Sequence, residues 1–513
     1  MSVYLVGAGP GDEGLITVRG LELIKSADVI VYDNLADRGL LREARADARL
    51  IFAGKKAGCH SMRQAEINRL LVEEGEKAAL AGQVVVRLKG GDPFLFGRGA
   101  EEMEALREAG LSFEIVPGVS SALAVPAYAG IPLTHRDFSS SVTIASGHSA
   151  PGNSPLDWGA LAHGADTLVV LMGLANLEEI TGNIIDSGVP LNTPAAVVEW
   201  GSTGRQRKVT GGIGTIAARV KEEQIRAPAV FILGRMAEFG AGPSWFEVKP
   251  LFGRTIVVTR ARKQAGELVL ALKNLGAEVI EFPTIEIRPF SGQEAAAGVI
   301  SSLSSYSWLV FTSANGVDSF FEILHKQGMD SRALGCLNLA AIGPGTAQAL
   351  SRRGLCPDFV PEEYVAESLA EGLYRRFAPG GGPILVARAK ETRQTLENIL
   401  EERDVPVHVL PVYETVLPLQ DEQAVYSRCK VREAFLKNRV DAVLFCSSSA
   451  VDNFFKLIEP GEVAGKNAAF VCIGPVTAGS LKKYDLSCTV QPGTYNLAEM
   501  IGALENFFRP AES

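Results

Sequence analysis

Long apolar runs are missing from this chain of 513 residues. No stretch approaches the roughly 20 residues needed to cross a bilayer. The opening Met-Ser-Val-Tyr-Leu-Val-Gly has no basic segment before it reaches Gly-Pro-Gly, so neither a membrane span nor a secretory leader is expected. Paired cysteines are missing as well. The seven are scattered without one Cys-x-x-Cys, which argues against a disulfide framework and against zinc. Cys59-His60 is the sole Cys/His neighbour pair and supplies too few ligands for a metal. Nor is there a surplus of basic residues: the formal net charge of -9 makes nucleic acid or an anionic membrane an unexpected partner. Small-molecule substrates and a cytoplasmic location are the expectation, and an anionic substrate would need a local cluster of cations.

What is present is the composition of an ordered protein, 47% hydrophobic and 21% charged. The chain exceeds the roughly 250 to 300 residues that one core can serve, so two or more domains are expected. Short β-branched runs alternate with helical patterns, at Val3 to Val6, Val29 to Tyr32, Val84 to Leu88, Phe113 to Val116, Thr167 to Met172 and Ala229 to Leu233. That alternation predicts an α/β fold. A break at Phe239 to Phe252 divides the chain into expected domains 1–245 and 253–513. The second half repeats itself, displaced by roughly 130 residues. Ile256-Val-Val-Thr-Arg260 matches Ile384-Leu-Val-Ala-Arg388, and the stretch from Phe311 to Phe321 matches Phe445 to Phe455. Ala341-Ile-Gly-Pro-Gly-Thr-Ala347 matches Cys472-Ile-Gly-Pro-Val-Thr-Ala478. Two copies of one unit predict a bilobed body with a cleft. With crossings at Phe282 to Pro289 and Leu410 to Pro418, the expected lobes are 253–284 plus 417–513, and 290–412.

In the first half, Gly7-Ala-Gly-Pro-Gly-Asp12 lets backbone approach a ligand closely after a strand. It fails the dinucleotide fingerprint, because Asp12 stands where the third glycine belongs and Pro10 lacks an N–H for a phosphate. Further on, Val85-Val-Arg-Leu-Lys-Gly-Gly-Asp-Pro-Phe-Leu-Phe-Gly-Arg-Gly-Ala-Glu-Glu102 ends a buried strand in a functional-looking loop. Together with Tyr32-Asp33, Gly54 to His60, Val116 to Ala122, Gly130 to Asp137 and Ala229 to Gly234, these motifs resemble the tetrapyrrole methylases, most closely the uroporphyrinogen-III methyltransferases, over residues 1 to 240. The resemblance implies a two-subdomain α/β fold and a homodimer through this half. It also implies S-adenosylmethionine contacts at Pro10, Gly90, Gly91, Asp92, Leu95, Ser120, Ser121, Met172 and Gly201. Asp33 matches a proton acceptor, Lys55 a donor, and Arg98 and Glu101 substrate-side positions. Methyl transfer to a pyrrole carbon depends on positioning and on a base that then removes a proton. Lys55, Lys56, Arg63, Arg87, Lys89, Arg98, His135 and Arg136 gather in the motif loops and are candidate contacts for a polycarboxylate substrate. The sequence departs from the family at Lys56, at Glu13-Gly14 and at Ala100, which leaves loop geometry open.

The second half holds no Ser-His-Asp set, no carboxylate pair and no metal spacing. It offers hydroxyl-rich strand ends, Thr312-Ser313 and Ser447-Ser-Ser449, and two Ile-Gly-Pro-x-Thr-Ala turns whose helix starts suit an anion. The duplicated pattern resembles uroporphyrinogen-III synthase, a duplicated bilobed α/β fold that closes hydroxymethylbilane with loss of water, inversion of one ring and no cofactor. On that resemblance Tyr413 is the candidate acid, and Thr346, Ser448 and Thr477 are carboxylate contacts. Arg260 and Arg388 recur at equivalent positions and are expected to face the cleft. Two other readings stay open here, a methylase acting later on the corrin ring and a second half that binds without catalysing. The two halves are expected to be separable near Phe239 to Phe252, neither site borrowing residues from the other.

Overall fold

A computed structural model describes residues 2–45, 47–54, 62–148, 154–290, 293–391, 394–418 and 422–509, apart from the side chains of 262, 263, 289, 293–295, 422 and 423. The fold is α/β, built on four sheets. The first holds β1 (Val3–Gly7), β2 (Val29–Tyr32), β3 (Arg49–Phe52), β4 (Val85–Lys89) and β5 (Phe113–Val116), all parallel, in the order β3-β2-β4-β1-β5. Its inner strands β1 and β2 are apolar runs, and β4, which carries Arg87 and Lys89 among apolar residues, is still buried at every position. The second sheet, ordered β6-β7-β10-β8-β9, is mixed: β6 (Val142–Ser146) and β7 (Thr167–Leu171) run parallel, while β8 (Pro194–Glu199), β9 (Arg207–Gly212) and β10 (Ala229–Gly234) join antiparallel.

The other two sheets interleave the copies of the repeat. One is β12-β11-β18-β19, all parallel, made of β11 (Thr255–Val258), β12 (Glu278–Glu281), β18 (Ala442–Phe445) and β19 (Ala469–Cys472). The other is β13-β17-β16-β14-β15, from β13 (Glu286–Pro289), β14 (Trp308–Phe311), β15 (Asn338–Ala341), β16 (Ile384–Ala389) and β17 (Val407–Val416). Equivalent strands take equivalent places, so each sheet draws strands from both copies, two and two in the first and, with β13 added at its edge, three and two in the second. The cores repeat too, with Phe311, Phe320 and Phe321 buried in one lobe and Phe445, Phe454 and Phe455 in the other. Edge-to-face packing of Phe311 on Phe320 at 5.5 Å is mirrored by Phe445 on Phe454 at 5.4 Å.

The segment between the halves is packed rather than loose. Phe246 and Leu251 are buried, and Phe246 stacks edge-on against Phe252 at 5.5 Å. The Trp245 indole N–H donates to the Ala127 carbonyl at 3.0 Å on one side, and the Leu251 N–H donates to the Leu275 carbonyl at 2.8 Å on the other. Side chains also pair directly across the halves: Arg42 with Glu281, Lys273 with Asp37 and Glu13, and Arg205 with Glu278. Among the described residues no helix is long and apolar enough to cross a membrane.

Candidate active sites

Three turns at the carboxyl ends of the parallel strands of the first sheet converge within touching distance. After β1, the Gly9 and Gly91 backbones exchange hydrogen bonds of 3.2 and 2.7 Å, which fastens the first turn to the one after β4. A Cβ on Gly7 would lie 2.5 Å from the Gly118 Cα and 2.7 Å from the Gly91 carbonyl oxygen, and one on Gly118 would strike the same oxygen. Only glycine permits this approach. Asp92 locks the arrangement, its Oδ1 accepting from the Phe94 and Leu95 N–H groups at 2.8 and 3.0 Å and its Oδ2 from the Gly118 N–H at 3.0 Å. Asp92 is therefore a backbone clamp. Ser120 caps the helix Ser121–Tyr128, accepting from the Ala122 N–H. At the far end of that helix the Tyr128 hydroxyl donates to Asp12 Oδ2 at 2.7 Å, and burial followed by that carboxylate pushes the phenol above its ordinary range.

Facing this cradle is the second sheet. Leu95 packs against its apolar cluster, and Gly201, in the turn between β8 and β9, abuts Val125 of the capped helix. Next to it, a Cβ on Gly11 would meet Thr203 Cγ2 at 2.7 Å, so the Pro10 turn and the 200–204 turn form one seam. Met172 directly follows β7 in a left-handed conformation, φ 56°, and is half exposed. That conformation is costly for a non-glycine residue and concentrates at functional sites. The turns carrying Pro10, Gly90, Gly91, Asp92, Leu95, Ser120, Ser121 and Gly201 thus come together where the two sheets meet.

Beside the Gly90 turn, where a Cβ would meet Leu35 at 2.5 Å, lies a largely buried charge network. Asp33 Oδ1 accepts from the Leu35 and Ala36 N–H groups at 3.0 and 3.3 Å, and its Oδ2 sits 3.2 Å from Arg87 Nη2. Arg87 Nε contacts Glu102 Oε1 at 3.2 Å, and Lys89 Nζ reaches the same oxygen at 2.8 Å. Glu102 is fully buried, and among the described residues its Oε2 has no hydrogen-bond partner. Burial, with the Arg87 charge beside it, pushes the Lys89 ammonium below its ordinary range, while Glu102 and Asp33 pull against that. Arg87 and Lys89 therefore correct the sequence reading: they are internal counter-ions, not open cations for a polycarboxylate. Glu102 was missed, although two cations at alternate positions of an otherwise apolar strand demand a buried anion.

The other candidates lie on the surface or outside the described residues. Arg98 and Glu101 form a mutual exposed pair, Nη2 to Oε2 2.7 Å, at the start of the helix Gly99–Glu108. His135 accepts at Nδ1 from the Asp137 N–H at 3.1 Å and stacks on Phe138, which makes it part of its own turn, while Arg136 is exposed. Lys55 and Lys56 lie outside the described residues, and Arg63 begins the helix Gln64–Ala81 from an exposed position.

In the second half the hydroxyls gather at strand ends on both lobes. Ser313 caps the helix Ala314–Lys326, accepting from the Gly316 N–H at 3.0 Å, and its hydroxyl meets the Tyr413 hydroxyl at 3.1 Å. Tyr413 is otherwise buried in its lobe's core. On the other lobe Ser447 caps the helix Ser448–Leu457, and Ser448 donates to the Val476 carbonyl at 3.3 Å beside Thr477. Thr346 and Thr477 are not caps: Gly343 and Gly474 hold the cap positions, and both threonines are buried at the third position of the first turn. Gln264 and Asn315 bond across the lobes. Arg388 departs from its expected place in the cleft, since it is buried with Nε 2.6 Å from Glu397 Oε1. Arg260 lies beside the Cys446 thiol, which burial pushes up and Arg260 draws back.

Residues 2–217 match the family of tetrapyrrole (corrin/porphyrin) methylases, and residues 266–502 match uroporphyrinogen-III synthase HemD. A porphyrin biosynthesis protein HemD from Ruminiclostridium josui is 38% identical over 489 residues, which is 95% of this chain and 94% of that protein. A uroporphyrinogen-III C-methyltransferase from Priestia megaterium is 49% identical over 238 residues, 46% of this chain and 98% of the relative. The crystal structure of uroporphyrin-III C-methyl transferase from Thermus thermophilus complexed with S-adenyl homocysteine aligns at a TM-score of 0.39 and 38% identity, covering 46% of this chain and 93% of that one. With a full-length relative and both family models in the same order, the chain belongs to the fused porphyrin-biosynthesis proteins in which a tetrapyrrole methylase precedes a HemD-type uroporphyrinogen-III synthase.

Proposed function

We propose that the second half closes hydroxymethylbilane to uroporphyrinogen III, with loss of water and inversion of one ring, and that the first half methylates that product at C2 and C7 to precorrin-2. The convergence of the Gly7, Gly91 and Gly118 turns beside the Asp33 network carries this reading. Glycines let these turns close on one another and present their backbone to a ligand, which suits S-adenosylmethionine at the turns 9–12, 90–95, 118–121 and 200–203. That molecule supplies an electrophilic methyl group. The chain supplies alignment through the turns, and Asp33, oriented by two N–H groups and Arg87, accepts the proton released from the methylated carbon. Arg98 and Glu101 at the mouth exchange their mutual pair for substrate carboxylates and pyrrole N–H groups.

In the second cleft Tyr413, with Ser313 on its hydroxyl, gives its proton to the departing hydroxyl, and the uncapped starts of the helices at Pro344 and Pro475 take carboxylates through their N–H groups. No cofactor takes part in this closure. The enzyme works in the cytoplasm, and the exposed Leu123, Phe138 and Phe239 of the first half give it apolar area for a homodimer. Incubation with hydroxymethylbilane and S-adenosylmethionine, followed by product mass and isomer analysis, tests the reading. Dimethylated type III product is expected; type I isomer or unmethylated product alone overturns the assignment of one half or the other.

A further inference from the structure

The two walls of the methyl-transfer cleft belong to different sheets, yet one short strand of the synthase half holds both. At the start of β12, Glu278 Oε1 lies 3.1 Å from Arg205 Nε, and a Cβ on Gly204 would come within 2.5 Å of the Ala277 carbonyl carbon. These residues continue the 200–204 turn whose Thr203 packs on Gly11. At the end of β12, Glu281 Oε1 lies 2.5 Å from Arg42 Nη1, and Arg42 Nη2 reaches Glu13 Oε2 at 2.8 Å. Glu13 directly follows the Gly7 to Asp12 cradle. Lys273, next to the last residue of the helix Arg262–Asn274, adds contacts of 3.3 Å to Glu13 and 2.9 Å to Asp37. The Arg42–Glu13 pair is desolvated, at 13 and 9% exposed, while Glu281, Lys273 and Arg205 are 24, 25 and 33% exposed, so the cluster is partly shielded from solvent and less screened than a surface bridge.

We propose that β12 is a brace: Glu278 and Glu281 are positioning residues that fix the separation of the two cleft walls, so that the synthase half sets the affinity of the methylase half for S-adenosylmethionine. The idea rests on the cleft being the S-adenosylmethionine site. Glu13-Gly14, the departure from the methylase pattern in the first loop, acquires a physical reason, because Glu13 is the residue through which Arg42 and Lys273 reach the cradle. Neither glutamate touches the reacting atoms, and neither belongs to the hydroxyl clusters of the synthase cleft.

The test uses the full chain carrying Glu278→Gln with Glu281→Gln, read by calorimetric S-adenosylmethionine binding, by the KM and kcat of methylation, by hydroxymethylbilane closure and by amide exchange of residues 9–15. The brace predicts a Kd and KM raised about tenfold, a kcat within about twofold, unchanged ring closure and faster exchange at 9–15. A folded double variant with wild-type Kd and wild-type exchange overturns it, as does an equal fall in both activities. If the double variant does not fold, Arg205→Met and Glu281→Gln are measured singly, and an unmoved Kd in both overturns it. Failure of the wild-type chain to bind S-adenosylmethionine overturns the proposed function instead; the brace is then judged by the exchange at 9–15 alone.

Discussion

Glu102 shows how much one carboxylate can hold in place. It is fully buried, anchors Arg87 and Lys89 through a single oxygen, and through Arg87 sets the direction of Asp33. Removing one member of such a buried set leaves the others uncompensated, which costs about 3–5 kcal/mol. Glu102→Gln is therefore expected to destabilise the first half by that order in urea denaturation and to depress methylation, while hydroxymethylbilane closure persists. Asp33→Asn keeps the hydrogen bonds to Leu35 and Ala36 but loses the base, so methylation should fall about 10²- to 10⁴-fold with ring closure intact. Arg98→Ala is expected to weaken methylation by the same half-specific pattern. Wild-type methylation in both would sink the site assignment. At this scale the sequence displayed residue types but not partners: Arg87 and Lys89 looked like substrate cations because the anion that claims them lies on the helix Gly99–Glu108, outside their strand.

Among the elements, the turns are tighter than their glycine content alone implies. Gly118→Ala puts a methyl group against the Gly91 carbonyl and the Gly7 Cα, so the turns must part. Loss of S-adenosylmethionine binding by calorimetry is expected, with ring closure unaffected; binding within twofold of wild type would show that the convergence is not the cofactor cradle. Ser313→Ala removes a helix cap worth about 1 kcal/mol and the partner of the Tyr413 hydroxyl together. A fall in closure rate larger than the loss of stability explains is the expected readout. The alternation of strands and helices and the repeat were legible because periodicity survives in a single sequence, and the shared strand order of the two synthase sheets follows from that repeat. The threonines of the Ile-Gly-Pro-x-Thr-Ala turns were harder to read, since proline at the first helical position moves the cap back to glycine.

For the whole molecule, the charge cluster between the halves gives docking a defined pH range. Burial would raise Asp37, but Lys273 and the Gly39 N–H outweigh it, and its pKa falls below 3.8; its contribution is complete above that value and lost as pH drops through the lowered one. Lys273 is raised above 10.5 because Asp37 and Glu13 outweigh its burial, so its share is complete below 10.5 and lost as pH climbs through the raised value. Small-angle scattering should show a constant radius of gyration between these limits and expansion on the alkaline side. An expansion near neutral pH would contradict the cluster. The expectation that the halves separate cleanly near Phe239 to Phe252 meets a packed segment: cutting there exposes Phe246 and Leu251 and severs the frame of the β12 contacts. The break was legible from composition, whereas its packing depended on partners far away in sequence.

The interleaving of the two copies also orders events in time as the chain is made. Ile256 pairs with Ala442, so β11 and β12 leave the ribosome with one edge unmatched and stay so while the whole intervening lobe is synthesised, on the order of ten seconds or more at ordinary elongation rates. During that interval the surface available to β12 is the methylase half, already complete, with Arg42 and Arg205 in place to receive Glu281 and Glu278. The order of the fusion thus lets β12 dock on a folded neighbour while the open edge of β11 waits for β18.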